Sequence, residues 1–521
     1  MKKLFLVLLL TFCLSALILF FSESLFAEPQ DLSTFLENLA GERGTISLSL
    51  QDCIFFALKN NLDVAATRLV PQIKETEIIK AKSDFDPVAT LDISTDKSET
   101  QTTSAALAGT LASVQKNYDF NAGLKQKFLT GGDYDLSFKN NRLETNRPLA
   151  FQSPNPAYTS SVIFTLTQPL LRDFGIGVNR ADILIANNNK NISLEELRKE
   201  VIDTIAETEK AYWELVFVLE NSKVKELSLK RAKDLLEINK VRMKAGTVSQ
   251  IEVLAAEAEV ASRQQEVLIA QKTLSDAQDN LKVVTNLIQD PKLWNFDIIP
   301  LDKPHLEAKE INLVESVRTA FQKRPDYQQA KIDLKNRDIK IKVAKNERLP
   351  ILDLKGSFGL NGLDRHYNDA FDEMSKGDYE SWSAGLSFEY PLGNRGARSK
   401  YKKKLLEKEK ALIDFKNLEQ KIIAQVREAV RGTNTDYKRV AAAETVRRLR
   451  ERRLSAEEER FKEGLTTTHD ILEYQEDLAE AQSSYLRSIV DYNKSLISLE
   501  KVKGTVLERE NIHLEDANYR E

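Results

Sequence analysis

Two long stretches without proline constrain the fold of this chain more than any other feature of its sequence. No proline occurs from Leu170 to Asp290 or from Leu392 to Glu521. Proline interrupts helices because it has no amide hydrogen and clashes with the preceding turn. The 521 residues include only 19 glycines and 13 prolines, each about half of average usage. The sequence therefore predicts long, uninterrupted helices.

Each stretch is predicted to hold two helices joined by a short turn. In the first, we expect a helix over residues 193–245 with Ser193 as its N-cap, a break at Gly246, and a second helix over 249–288. The second stretch repeats this arrangement around Gly464. Apolar residues recur every seven positions along the second helix of each pair, which is typical of coiled-coil-like packing. They are Val253, Val260, Val267, Leu274, Leu281 and Ile288, then Ile471, Leu478, Tyr485, Tyr492, Leu499 and Val506.

The two halves of the chain resemble each other. Leu50-Gln51-Asp52 matches Leu313-Val314-Glu315 at an offset of 263 positions. Arg242–Gly246 matches Arg460–Gly464 at an offset of 218. We therefore expect a tandem repeat in which each half contains a helix, strands and two long helices.

The first half is longer in its strand region. Pro87 and Pro169 are 82 positions apart, whereas the matching Pro350 and Pro391 are 41 apart, so the first half has 41 additional residues. This excess accounts for most of the difference between the two offsets.

Apolar and polar residues alternate in six segments, and this pattern predicts β-strands. Aromatic residues at the ends of the apolar faces are typical of membrane barrels, although a soluble sheet packed on helices would give the same alternation. A sheet in lipid must close on itself, and single-chain barrels have about eight strands or more. Six strands therefore predict that several copies assemble. The segments are Val88–Ser94, Asn117–Phe128, Asp133–Lys139, Ser161–Thr167, Leu352–Leu360 and Trp382–Tyr390.

The start of the chain has the pattern of an export signal. Lys2 and Lys3 precede an apolar run from Leu4 to Phe21, and Ala27 offers a small residue before a cleavage point. An uncleaved membrane anchor is the alternative, since such a run can just span a bilayer. After cleavage Cys53 is the one remaining cysteine, so no disulfide can form within the chain.

Composition argues against several classes of function. The net charge of -4 lacks the basic surplus of a nucleic-acid binder. Two cysteines and four scattered histidines offer little for a metal site. We find no Ser-His-Asp set, phosphate loop or His-x-Glu metal pattern. We therefore expect no enzyme activity, no cofactor and no metal.

These features together resemble the outer membrane efflux protein family, the TolC-like channels. The resemblance lies in the signal peptide, the doubled openings and long helices, the strand exits at 168–170 (Gln-Pro-Leu) and 390–392 (Tyr-Pro-Leu), and the turns Arg242–Gly246 and Arg460–Gly464. It covers roughly residues 46–505. No single motif is specific to the family, but the order of the motifs, which occurs twice in the chain, is specific.

The resemblance implies a fold that is mainly α with a β membrane part. A long, coiled-coil-like α-helical barrel continues into a transmembrane β-barrel that a homotrimer shares, with two tandem structural repeats per chain. It also implies a passive export duct of a tripartite efflux or type I secretion system in the outer membrane, with a periplasmic extension. The partners would be outer-membrane lipid, a periplasmic adaptor (membrane fusion protein) and an inner-membrane pump. A soluble periplasmic coiled-coil scaffold or adaptor is the alternative.

The resemblance also gives expected boundaries. The family pattern has two strands per half, so the 41 extra residues mean either larger extracellular loops or more strands per protomer. The expected segments are a signal peptide (1–27), a periplasmic lead (28–48), repeat 1 (49–290, strands about 88–167), a linker (291–310), repeat 2 (311–505, β-hairpin about 352–390) and a tail (506–521).

In the family, the turns between the long helices form the periplasmic entrance and the adaptor-docking surface. Basic residues at the ends of helices also complement the helix dipole, which is the structural alternative. The residues that mark the two docking turns are Arg242, Lys244 and Gly246, and Arg460, Lys462 and Gly464.

Asp470, Glu473 and Phe461 match family positions at the periplasmic gate. Three copies would make rings of carboxylates, which favour cations. Thr467-x-x-Asp470 and Ser249-x-x-Glu252 also have the pattern of capping boxes, in which the acid satisfies a backbone amide. Phe461 equally suits a packed aromatic at a helix end.

Overall fold

A computed structural model describes residues 44–101, 111–147, 154–289, 291, 294–307 and 310–512. The predicted signal peptide, most of the predicted lead and the last part of the predicted tail lie outside these ranges. None of the helices in the described ranges has both the length and the apolar character needed to cross a bilayer.

The two halves follow the same order: two helices, strands, then two long helices. The first half comprises β1 (Thr45–Leu48), α1 (Leu50–Asn60), α2 (Leu62–Ser83), β2 (Val88–Gln101), β3 (Ala112–Lys127), β4 (Asp133–Thr145), β5 (Ala157–Pro169), α3 (Ile176–Asn179), α4 (Ala181–Lys244), α5 (Gln250–Val284), a 3-10 turn (Leu287–Gln289) and β6 (Asp297–Pro300). The second comprises α6 (Leu313–Lys323), α7 (Pro325–Asn346), β7 (Ile351–Asp364), α8 (Tyr367–Lys376), β8 (Glu380–Glu389), α9 (Arg395–Lys462), α10 (Thr468–Lys503) and α11 (Val506–Arg509).

The prediction that the first long helix starts at Ser193 is wrong. Helix α4 begins at Ala181 and Ser193 is buried inside it. An asparagine-rich segment precedes Ser193, and asparagine is a weak helix former. Tertiary contacts stabilise it, because Asn188 donates to the side-chain oxygen of Asn336 (2.8 Å) and Asn336 donates to Asn189 (3.1 Å). A partner 147 residues away cannot be recognised from local propensity.

The long helices form a layer with two open edges. Helix α4 packs against α5 on one side and α10 on the other, and α9 packs against α10. Nearer the sheet, α2 packs on α4, and α7 lies between α4 and α9. With 64 residues, α4 is roughly 100 Å long. The layer therefore ends at α2 and α5 on one side and at α9 on the other.

The seven-residue repeat predicted the packed face of α10. Ile471, Leu478, Tyr492 and Leu499 are each buried, while Tyr485 between them is half-buried. In α5 the equivalent face is less complete, since Val253, Val267 and Leu281 are buried but Val260 and Leu274 are only half-buried. The predicted helix end at 288 is wrong, because α5 ends at Val284 and Ile288, 40% exposed, lies beyond it.

All six predicted strands are present, and they form one antiparallel sheet with the order β2-β3-β4-β5-β7-β8. The predicted hairpin at 352–390 differs in one respect, because helix α8 lies between its strands β7 and β8. Strands β2 and β8 are the two edges of the sheet.

A separate parallel pair, β1 with β6, fixes the middle of the helix layer. The ring of Tyr212 is fully buried beside it. Its hydroxyl donates to an Asp302 carboxylate oxygen (2.9 Å), with Leu48 O as a second, more distant acceptor of the same hydrogen (3.2 Å), and accepts from Asp302 N (3.0 Å). One side chain of α4 thus joins β1 to the segment that follows β6.

We predict that Tyr212→Phe destabilises the fold by about 1–3 kcal/mol, because Asp302 N loses the hydroxyl as its acceptor and Leu48 O and the Asp302 carboxylate each lose one hydrogen bond. The measurement is the thermal unfolding midpoint of the detergent-solubilised protein. Tyr437→Phe is the control, since Tyr437 is 38% exposed. Equal midpoints for the two variants would contradict the prediction.

Candidate functional site

The two turns between the long helices have the same backbone geometry. Gly246 and Gly464 adopt left-handed conformations, with φ of +77° and +76°. In each turn the residue after the glycine donates its N–H to the carbonyl of the preceding arginine, Arg242 or Arg460, at 2.9 Å. This is a Schellman motif, which requires a positive φ that glycine adopts without strain.

Side-chain contacts join the two turns. The guanidinium of Arg242 lies over the ring of Phe461, 4.3 Å from its centroid, and donates to the Phe461 carbonyl oxygen at 3.0 Å. Asn239 donates to the hydroxyl of Thr468 (3.0 Å), and both residues are buried. A cation over an aromatic face contributes about 0.5–2 kcal/mol. The turns are therefore coupled within one protomer.

Phe461 is 7% exposed and packs with Leu235, Ile471 and Leu472. The structure thus places it in the packed helix end, which is the alternative that the sequence left open. Its ring holds Arg242 rather than projecting from the tip.

The other basic residues of the turns point outward. Arg460 pairs with Glu457 (3.2 Å) and Lys462 with Glu459 (2.6 Å), each within α9, and Lys244 is exposed. These are dipole-complementing positions in the last helical turn, as the structural alternative predicts.

Asp470 forms a capping box at the start of α10. One of its carboxylate oxygens accepts from Thr467 N (3.0 Å), Thr467 Oγ1 (2.7 Å) and Thr466 Oγ1 (3.0 Å), while Asp470 N donates to Thr467 Oγ1 (3.2 Å). The hydrogen bonds from Thr467, and then that from Thr466, hold the pKa of Asp470 below its usual value. The carboxylate therefore stays charged throughout the physiological pH range.

The matching box in the first turn does not form. Ser249 is the N-cap of α5, but its side chain makes no capping hydrogen bond, and the N–H of Glu252 donates instead to the Ser249 carbonyl oxygen (3.2 Å). That predicted box is wrong. Glu473, one turn after Asp470, is exposed. The first turn has Ala255 at the position that matches Glu473, so the acidic pair belongs to the second turn alone.

Sequence reasoning missed Asn239 and Thr468, and it did not predict that Arg242 contacts Phe461. The repeat showed that the two turns are equivalent, but it carried no signal that they lie side by side. Away from the turns, Asp364 at the end of β7, His366 in the following loop and Asp369 in α8 bring potential ligand atoms within 4.8 Å of one another. His366 and Asp369 are exposed. This group lies beside the sheet and not at the helix turns.

A family model described as "Outer membrane efflux protein" matches residues 133–287 and 316–505, well over half of the chain. The chain belongs to the outer membrane efflux protein family. Membership confirms the resemblance and makes the protein a transport channel of the Gram-negative outer membrane rather than an enzyme. The two matched ranges contain both long-helix pairs and both turns.

Solved structures share the fold of this outer membrane efflux protein at low identity. The CmeC outer membrane channel of Campylobacter jejuni is 18% identical, with a TM-score of 0.64 over 90% of each chain. The outer-membrane channel OprN is 16% identical, with a TM-score of 0.65 over 88% of this chain and 90% of that one. VceC of Vibrio cholerae is 15% identical, with a TM-score of 0.62 over 87% and 96%. No curated protein matches the chain.

We predict that Arg242→Ala makes the second turn more mobile. The Phe461 ring loses the guanidinium that packs on it, and the Phe461 carbonyl oxygen loses its hydrogen bond. Amide hydrogen exchange over residues 460–468 should accelerate several-fold. Arg460→Ala is the matched control, since it is the equivalent arginine but pairs within its own helix. Equal exchange in both variants would show that the Arg242 contact does not couple the turns.

Proposed function

We propose that three copies of this chain form the outer-membrane channel of a tripartite efflux or type I secretion system and that solute passes through it passively from the periplasm to the exterior. The observation that carries the proposal is the pair of open sheet edges. Strands β2 and β8 are exposed along almost their whole length. Strand β2 runs away from the helices and β8 runs toward them, so β8 of one copy pairs antiparallel with β2 of the next. Three copies then close a barrel.

The helix layer supports the same assembly. Its edges lie on the same two sides as the strand edges, because α2 leads directly into β2 and β8 leads into α9. Both helix edges expose apolar residues that a neighbouring copy would cover. They are Leu62, Leu69, Ile73 and Ile79 on α2, Ile251, Leu254, Leu268 and Ile269 on α5, and Leu406, Ile413, Val446 and Leu449 on α9.

The charges of α9 and α5, on opposite edges of the layer, are complementary, whereas α2 is nearly balanced, with four Lys and Arg against three Asp and Glu. Helix α9 carries 21 Lys and Arg against 11 Asp and Glu, whereas α5 carries three Lys and Arg against six Asp and Glu. Opposite charges on facing surfaces fix register and disfavour wrong pairings. A head-to-tail ring places α9 against the α2–α5 edge of the next copy, so that no helix edge stays unpaired. The tandem repeats would then line a continuous periplasmic tunnel below the barrel.

The coupled turns form the tip of this tunnel. We place the adaptor-docking surface on the residues that the turns expose, Lys244 and Lys462 with Leu465, and the gate on Asp470 and Glu473. Arg242 and Phe461 would brace the tip from within, and the two glycines fix its shape. An inner-membrane pump would supply the energy, since the chain has no expected catalytic group.

The experiment that tests the proposal is the mass of the detergent-solubilised protein together with its location in fractionated cells. We expect a trimer extracted from the outer membrane. A monodisperse monomer that stays soluble without detergent would contradict the proposal and favour the scaffold alternative.

We predict that Asp470→Asn combined with Glu473→Gln lowers cation selectivity in planar bilayers, because the carboxylate rings at the entrance disappear. The amides keep the size of the side chains, so packing changes little. The contribution of Asp470 to the selectivity should persist to a lower pH than that of an ordinary aspartate, since hydrogen bonds from Thr467 and Thr466 hold the pKa of Asp470 below its usual value.

The control for this pair is Glu252→Gln, the matching position of the first turn. Its channels should keep the wild-type reversal potential. Unchanged selectivity in the double variant would remove Asp470 and Glu473 from the gate.

We predict that Leu465→Glu reduces pump-dependent efflux at least several-fold while trimers persist, because it places a charge on the 67% exposed apolar residue of the docking turn. The measurement is accumulation of a fluorescent pump substrate in cells that carry the variant in place of the wild-type chain. Leu111→Glu is the control, since Leu111 is 83% exposed at the end of the sheet away from the helices. Equal accumulation in both would exclude docking at this turn.

A further inference from the structure

The sheet is asymmetric between the two halves of the chain. Among the described residues, the first half gives it four strands and the second half gives two. The 41 extra residues of the first half lie between Pro87 and Pro169, which bracket β2 to β5. The excess therefore corresponds to one hairpin, β3–β4.

This hairpin is built into the wall of the sheet and is not an enlarged loop. Strands β3 and β4 have 16 and 13 residues, as long as β2 and β5 beside them, with 14 and 13. The register of β3 on β2 runs without a break from Val88–Lys125 to Gln101–Ala112. On the other side, β4 pairs with β5 from Asp133–Thr167 to Leu143–Ala157.

The hairpin also continues both faces of the sheet. Because side chains alternate along a strand, residues paired across strands share a face. One continuous row is mostly apolar: Ala89, Leu124, Leu136, Phe164, Phe358 and Trp382. The adjacent row on the opposite face is polar after its first residue: Val88, Lys125, Asp135, Thr165, Ser357 and Ser383. The hairpin thus presents the same lipid-facing and lumen-facing surfaces as its neighbours.

The turn of the hairpin is fixed to the junction between sheet and helices. Thr130 accepts at its carbonyl oxygen from Gly175 N (2.9 Å), and its hydroxyl donates to Gln168 Oε1 (3.0 Å). Gly131 has a φ of +98°, and a Cβ there would lie 2.1 Å from the carbonyl oxygen of Asp173. Such close packing holds the turn at the level where β5 leaves the sheet.

We propose that the β3–β4 hairpin widens the channel by adding two strands per protomer to the barrel wall. The inference rests on the proposed trimer. Three six-stranded sheets make 18 strands, whereas the same sheets without the hairpin would make 12. Barrel diameter grows roughly in proportion to strand number, so the outer pore is about 1.5 times as wide. The hairpin thereby sets the size of hydrophilic cargo that can leave through the outer opening.

The test is a strand count in trimers embedded in lipid nanodiscs, by electron cryomicroscopy. We expect 18 strands in the wild-type wall. A variant that lacks residues 112–145 keeps all remaining neighbours antiparallel, because it loses one upward and one downward strand. It should form a barrel about one third narrower. A variant that lacks residues 367–376, helix α8, is the control, since it removes mass beside the sheet but keeps six strands per copy.

A second readout is the polymer size excluded from the external opening when polyethylene glycols are added on that side of a planar bilayer. The cut-off should fall in the hairpin deletion and stay unchanged in the α8 deletion. A wild-type trimer with a 12-stranded wall, and with β3–β4 outside it, would overturn this inference but leave the proposed channel intact. Absence of any trimer would overturn both. If the deletion variant does not fold, the wild-type strand count alone gives the answer.

Discussion

The unpaired backbone at the two edges of the sheet is the constraint on which the rest of this structure depends. In lipid, each backbone amide or carbonyl without a partner costs several kcal/mol, so a sheet with a lipid-facing surface cannot keep an open edge. The six strands form an open sheet within one chain, because the first and last strands of the sheet do not pair. An even number of strands per copy also matters, because it makes the first and last strands antiparallel and lets identical copies join without a defect. The helix layer continues the same two edges, so in the proposed trimer one ring closure would satisfy the hydrogen bonds of the sheet and cover the exposed apolar residues of the helix edges.

The opposite end of the molecule has a different organisation. There, each helix pair is closed by a left-handed glycine turn, and the two turns are coupled by Arg242 on Phe461 and by Asn239 on Thr468. The carboxylate of Asp470 caps α10, and it also carries the charge that we propose for the gate. A tip braced by these contacts would suit the proposed entrance, which a partner protein would open. In the proposed channel, the open edges would serve assembly and the internally coupled tip would serve opening and closing.

Much of the fold was predictable because it follows from local periodicity. Alternation located all six strands, the glycines located both turns, and the heptad stripe located the buried face of α10. The start of α4 could not be predicted, because its asparagine-rich first turns are stabilised by Asn336 of another helix. The contact between the turns was missed for the same reason. The sequence left open whether the 41 additional residues enlarge a loop or extend the wall. Only the register of β3 and β4 with both neighbours favours the wall.

The measurement that tests the central claim most directly is disulfide cross-linking between the edge strands, with cysteine pairs placed along β2 and β8 of the full-length protein in its own membrane. If neighbouring copies close the sheet, some pairs must produce a ladder on denaturing gels that stops at three chains. A ladder that extends beyond three chains would mean an open array. Monomers for every pair would mean that the two edges never meet, and either result would contradict the account.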